Sequence, residues 1–148
     1  MNNGKGIAFI ELVIVMIVLT LFSSFIVPQI GQAAQESRIS GMCRTLQDVR
    51  SYITIYKAQH KQKLPGQGDC NWENAMCGIT DENGNKLINV SSDIMQLGPY
   101  MKKVPVNPYN GLSTIDFDGV PGDNSHGWYF DTKTGQFNAD NSVEHWQL

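Results

Sequence analysis

One stretch limits the fold more than any other. From Ile7 to Ile30 nearly every residue is apolar, and a single carboxylate, Glu11, sits inside the run. A bilayer core of roughly 30 Å asks for about 20 apolar residues in a helix. The run therefore predicts a membrane-spanning helix. A carboxylate at the centre of such a helix costs on the order of 2.5–3.5 kcal/mol, which marks Glu11 as a functional residue that needs a partner. Pro28 lacks an N–H and clashes with the preceding turn, so it should kink or open the helix.

Beyond Gly31 the pattern changes. Ile39, Met42, Cys43, Leu46, Val49, Ile53 and Tyr56 recur at steps of three and four, with Glu36, Arg38, Arg44, Gln47, Asp48 and Arg50 between them. That is one apolar face of an amphipathic helix. The two stretches together predict a helix from about residue 7 to 60, roughly 80 Å long at 1.5 Å per residue. Its first half would span a membrane and its second half would pack under a domain. Leu64-Pro65-Gly66 should end it.

Gly6, the apolar residues that follow, Glu11 as the fifth residue after Gly6, and Pro28 together resemble the class III signal of type IV pilins and type II secretion pseudopilins. The resemblance implies cleavage after Gly6 by a prepilin peptidase and N-methylation of Ile7. It also implies that Glu11 pairs with the new N-terminal amine of a neighbouring subunit. The chain would then divide into a leader (1–6), a transmembrane and assembly helix (7–30) and a periplasmic or extracellular globular domain (31–148). The implied fold is α+β and pilin-like: a long N-terminal helix, membrane-spanning in its first half, on a small antiparallel β-sheet. The segment Val104-Pro105-Val106-Asn107-Pro108-Tyr109-Asn110-Gly111 resembles a proline-rich turn of major pseudopilins. The expected function is a structural filament subunit, most simply a secretion major pseudopilin and alternatively a type IV pilus major or minor pilin, with a membrane-tethered enzyme or binding domain as the remaining alternative. Expected partners are copies of the chain in a helical filament, the prepilin peptidase, an inner-membrane assembly platform and minor pilins. The expected location is a single-pass inner-membrane state before assembly, then a periplasmic or cell-surface filament.

Composition adds bounds. The chain has 148 residues and a net charge of −3, with no basic patch of the kind that binds nucleic acid. His60, His126 and His145 are scattered and read as surface residues; no catalytic spacing links them, so no enzyme is expected. Cys70 and Cys77 lie close together in a polar stretch. In an exported chain they read as a disulfide, whereas their spacing, with no Cys or His close by, makes a poor zinc site. Cys43 falls on the apolar stripe and reads as a buried small hydrophobe.

Residues 66–92 are rich in Gly, Asn, Asp and Ser. Glu82-Asn83-Gly84-Asn85 predicts a turn, Lys86 to Val90 a strand, and Ser92 the cap of a short helix. The last third predicts short strands at Ser113–Phe117, Gly127–Phe130 and Gln136–Ala139, the last two joined by a hairpin over Asp131–Gly135. Asp116, Asp118, Asp123, Asn124 and Ser125 crowd one loop. Ca²⁺ takes 6–8 oxygen ligands. The loop reads either as a calcium site, as the resemblance to major pseudopilins implies, or as a turn with solvated carboxylates.

Overall fold

The computed structural model describes residues 4–88 and 95–148, without the side chains of residues 4–8 and 23–30. Two compact units form, Met1–Ile39 and Ser40–Leu148. The elements are α1 (Gly4–Gln59), α2 (Trp72–Cys77), β1 (Ile115–Phe117), β2 (Trp128–Phe130), β3 (Phe137–Ala139) and α3 (Val143–Trp146).

In the first unit the described side chains of α1 from Phe9 to Phe22 stand exposed on every side of the helix. Among the described residues no helix is long and apolar enough to cross a membrane, which corrects the membrane-spanning half of α1 and the single-pass inner-membrane location.

In the second unit α1 supplies the buried row Met42, Leu46, Val49, Ile53 and Tyr56. The three- and four-residue steps place these side chains on one face. Ile39 and Cys43 stand at the margin of that row and are not buried, so Cys43 is not the core residue expected. The helix stops at Gln59, earlier than Leu64-Pro65-Gly66. Lys61 and Gln62 take positive φ (54° and 69°), and the Gln62 N–H donates to Lys57 O at 2.9 Å. A left-handed residue past the last turn lets late N–H groups fold back onto orphan carbonyls. Here that closure precedes the proline.

The row packs against Trp72, Ala75 and Met76 of α2 and against Trp128, Phe130, Phe137 and Ala139 of the sheet. Asn71 caps α2 by accepting from the Asn74 N–H at 2.8 Å. Trp72 stacks on Phe137, whose other neighbour in the stack is Trp128, with ring centroids 5.8 and 5.4 Å apart. Arg50, between core positions of α1, donates from Nε to Phe137 O and from Nη2 to Asn138 Oδ1, tying the helix to β3.

The sheet runs β1-β2-β3. β2 and β3 pair antiparallel, Trp128 opposite Ala139 and Phe130 opposite Phe137. Their turn is closed by Asp131, whose Oδ1 accepts from the N–H groups of Lys133 and Thr134. β1 pairs with β2 in parallel, Ile115 beside Trp128 and Phe117 beside Phe130. The sheet is therefore mixed, not antiparallel as expected. The cause is the 118–127 connection, which carries the chain back to the starting end of β1 before β2 begins.

The proline-rich segment braces this connection. Asn107, fully buried, donates from Nδ2 to Gly127 O and Asn141 Oδ1 and accepts from the Tyr109 N–H. Trp128 Nε1 donates to Pro105 O at 2.7 Å. His60 is also fully buried, stacked on Tyr56 and bonded to Tyr56 O and Thr80 Oγ1, so it is not the surface residue expected. The turn at 82–85 is formed, with Asp81 Oδ1 accepting from the Asn83 and Asn85 N–H groups. The strand expected over Lys86 to Val90 does not appear in its described part, Lys86 to Ile88. Its remainder and the Ser92 cap lie outside the described residues.

Candidate functional site

The assembly residues expected from sequence belong to α1. Glu11 is exposed and, among the described residues, has no side-chain hydrogen bond or ion pair. Its neighbours are exposed as well: Phe9 is 67 % accessible, Met16 61 % and Val13, the least exposed large apolar residue of the run, 39 %. A helix that folds against its own chain hides one face. This stretch hides none, so every face is available to something else. The side chains of Gly6, Ile7 and Pro28 lie outside the described residues.

The oxygen-rich loop divides. Asp116, His126 and Asp140 bring one ligand atom each to within 4.8 Å of one another. Asp140 follows β3 and is fully buried. Its Oδ1 accepts from the Gly122 N–H at 2.7 Å and its Oδ2 from the His126 N–H at 3.1 Å, while its backbone carbonyl accepts from the Asn124 N–H. Burial pushes this carboxyl above the ordinary value, although both N–H bonds oppose that shift. Asp140 is thus the peg around which the 118–127 connection is wound. A Cβ at Gly119 would fall 2.0 Å from Asp116 Oδ2, so a larger residue there would displace the Asp116 carboxylate.

The other expected ligands do other work. Asp118 turns toward the hairpin and accepts from Thr132 Oγ1 and the Thr132 N–H, which hold its carboxyl below the usual range. Asp123 accepts from Ser125 and is likewise held low. Ser125 Oγ lies 2.8 Å from His126 Nδ1, and Asn124 Oδ1 accepts from Asn110 Nδ2. Of the expected carboxylates Asp116, Asp118 and Asp123, Asp116 is the one that brings a ligand atom to this cluster. The cluster's imidazole is a nitrogen donor, unlike the all-oxygen shell of Ca²⁺. Both oxygens of Asp140 are already engaged by backbone N–H groups. The donor set fits loop anchoring better than calcium. His126 and Asp140 escaped the sequence reading because no spacing links them to Asp116; the wound connection brings them together.

The cysteines carry free thiols. Cys70 is buried, with Sγ donating to Gly84 O at 3.2 Å. Burial pushes both the Cys70 and Cys77 thiols up, so neither is primed as a thiolate. The expected Cys70–Cys77 bond is not formed. Cys70 precedes the N-cap of α2 and Cys77 ends it.

No family model, curated protein or solved structure matches the chain.

Proposed function

We propose that the chain is a structural subunit of a homopolymeric helical filament of the type IV pilin kind, in its secretion, major-pseudopilin branch. The observation that carries this reading is the run Phe9–Phe22, apolar apart from Glu11 and Thr20 and exposed on every face. Each large apolar side chain left in water forgoes about 1.5–3 kcal/mol of burial. A contiguous patch of this kind marks an association surface. Copies of the same helix laid side by side cover all faces at once.

Glu11 supports the same reading. Within such a bundle its carboxylate needs a cation, and its own chain offers none among the described residues. Cleavage between Gly6 and Ile7 by a prepilin peptidase, followed by N-methylation, places a positive amine at the end of each neighbouring helix. The pair then fixes register more than it adds net stability, because desolvation offsets much of its attraction. The Ser40–Leu148 unit, with its own core, needs no help from the run to fold.

The test is electron microscopy of sheared material from cells that express the full chain with an active prepilin peptidase, together with intact mass. Filaments are expected, built from a product that lacks residues 1–6 and carries one extra methyl. Glu11→Val should leave cleavage in place and abolish filaments. Normal filament numbers with Glu11→Val, or a product still starting at Met1, would overturn the reading.

A further inference from the structure

The outer edge of β1 is unpaired. Trp128 N–H donates to Thr114 O, and Asp118 N–H donates to Phe130 O. In a parallel ladder alternate residues of a strand face its partner. Residues 114, 116 and 118 therefore face β2, and Ile115 and Phe117 direct their backbone N–H and C=O groups away from the sheet. Among the described residues nothing bonds to those outward groups. A cleft of about 380 Å³ runs along this edge. Ile115, Phe117, Trp72, Glu73 and Val104 are among the residues that line it. Phe117 is 48 % exposed, although aromatic. The Trp72 indole Nε1 is buried with no acceptor within the chain.

An open strand edge and a slot beside it lined in part by apolar side chains are what an extended polypeptide would complete. Its backbone would supply the missing ladder partners and its alternate side chains would enter the slot. Among the described residues Glu73 is the one carboxylate along the cleft, which His126 also lines and no Lys or Arg does, and the chain as a whole is acidic. Charge complementarity therefore selects a basic segment.

We propose that the β1 edge docks an extended segment of a partner protein as a fourth strand, with an apolar side chain in the cleft and a basic side chain beside Glu73. This inference stands apart from the filament reading, since it uses only the Ser40–Leu148 unit.

The probe is a short, end-capped, fluorescently labelled peptide of alternating lysine and valine. It is titrated by anisotropy against the full chain, kept dispersed in mild detergent. Hydrogen exchange of residues 113–118 is followed in parallel. Binding should slow exchange there. N-methylating alternate peptide nitrogens should weaken binding roughly tenfold or more, the equivalent of one or two net hydrogen bonds. Glu73→Lys should reverse the preference, favouring a glutamate–valine peptide. Phe117→Pro removes an outward N–H and should abolish binding, whereas Phe117→Ala keeps that N–H and should weaken binding by less. An unchanged melting temperature keeps the proline variant interpretable, and the N-methylated peptide tests the same bond on unmodified protein. Equal binding of the N-methylated peptide, or unchanged exchange at 113–118, would overturn the proposal. So would protection of 113–118 that rises with protein concentration and without peptide, because a second copy would then be the occupant.

Discussion

Two parts of α1 use the same kinds of residue in opposite ways. Between Phe9 and Phe22, leucine, isoleucine, valine and methionine occupy every face and none is buried. Farther along, Met42, Leu46, Val49, Ile53 and Tyr56 occupy one face and are at most 4 % exposed, while Ile55, off that face, is 45 % exposed. Met16 and Met42 differ only in setting, 61 % against 0 % exposed. An apolar side chain stabilises whichever state hides it. The later residues stabilise the folded unit, and the earlier ones are hidden by none of the described residues. The polar spacing decides which. Arg44, Gln47, Asp48 and Arg50 leave a single apolar face that one sheet can cover, while the earlier stretch lacks a polar face altogether.

The largest expected effect sets these two parts against each other. Leu46→Ala should cost about 2–5 kcal/mol in urea unfolding of the Ser40–Leu148 unit, because it leaves a cavity under the sheet. Leu12→Ala, at a residue 56 % exposed, should change that unfolding by less than about 0.5 kcal/mol while reducing filament yield. Equal stability losses from the two changes would erase the distinction.

A smaller effect tests how far the buried part extends. Gly135 closes the β2–β3 hairpin at φ +79°, where an added Cβ would lie 2.5 Å from Leu64 Cδ2. Gly135→Ala should cost about 1–3 kcal/mol through its left-handed backbone and this crowding. An unchanged midpoint would mean that the hairpin is not coupled to the core.

The pH response is smaller still and carries two signs. Asp118 and Asp131 are held low by bonds from Thr132 and from Thr134 and Lys133. Their stabilisation is complete above the unfolded carboxylate value and is lost as pH falls through their lower folded values. Asp140 is raised by burial, so its contribution runs the other way, with stability falling as pH rises from the unfolded value through the raised folded one. Melting scans across the acidic range should show this falling component in the native chain. It should be absent in Asp140→Asn, which also loses one of the two N–H acceptors and melts lower at neutral pH. A native profile identical in shape to that of Asp140→Asn would refute the assignment. None of this should appear on the Phe9–Phe22 side.

The smallest effect is expected at Lys61–Glu82, an ion pair at 2.7 Å with both side chains more than half exposed. Lys61→Ala should shift unfolding by no more than about 0.5 kcal/mol. A larger loss would mean that the left-handed turn after α1 depends on that lysine's charge.

Much of this arrangement is legible in the residues themselves. The stripe from Met42 to Tyr56 is local information, because helical spacing alone sets which side chains share a face. The Asp131–Gly135 turn is local too, since a short acidic side chain and a glycine satisfy it within five residues. The site-level expectations fared less well because they depended on partners distant in sequence. Asp118 looked like a ligand beside Asp116, yet Thr132 claims it. Cys70 and Cys77 looked like a bonded pair, yet both carry free thiols. His60 looked like a surface residue, yet Tyr56 stacks on it and Thr80 bonds it.

The sequence alone determined where α1 is amphipathic, where the hairpin turns and that Phe9–Phe22 has no polar face, because each follows from spacing along one segment. Only the tertiary structure decided that β1 lies parallel to β2 and that Asp140 and His126 meet Asp116. Those outcomes rest on a buried carboxylate recruiting N–H groups from a loop 14 and 18 residues earlier. Burial makes an unpaired carboxylate costly, and the chain relieves that cost by winding the connection around it.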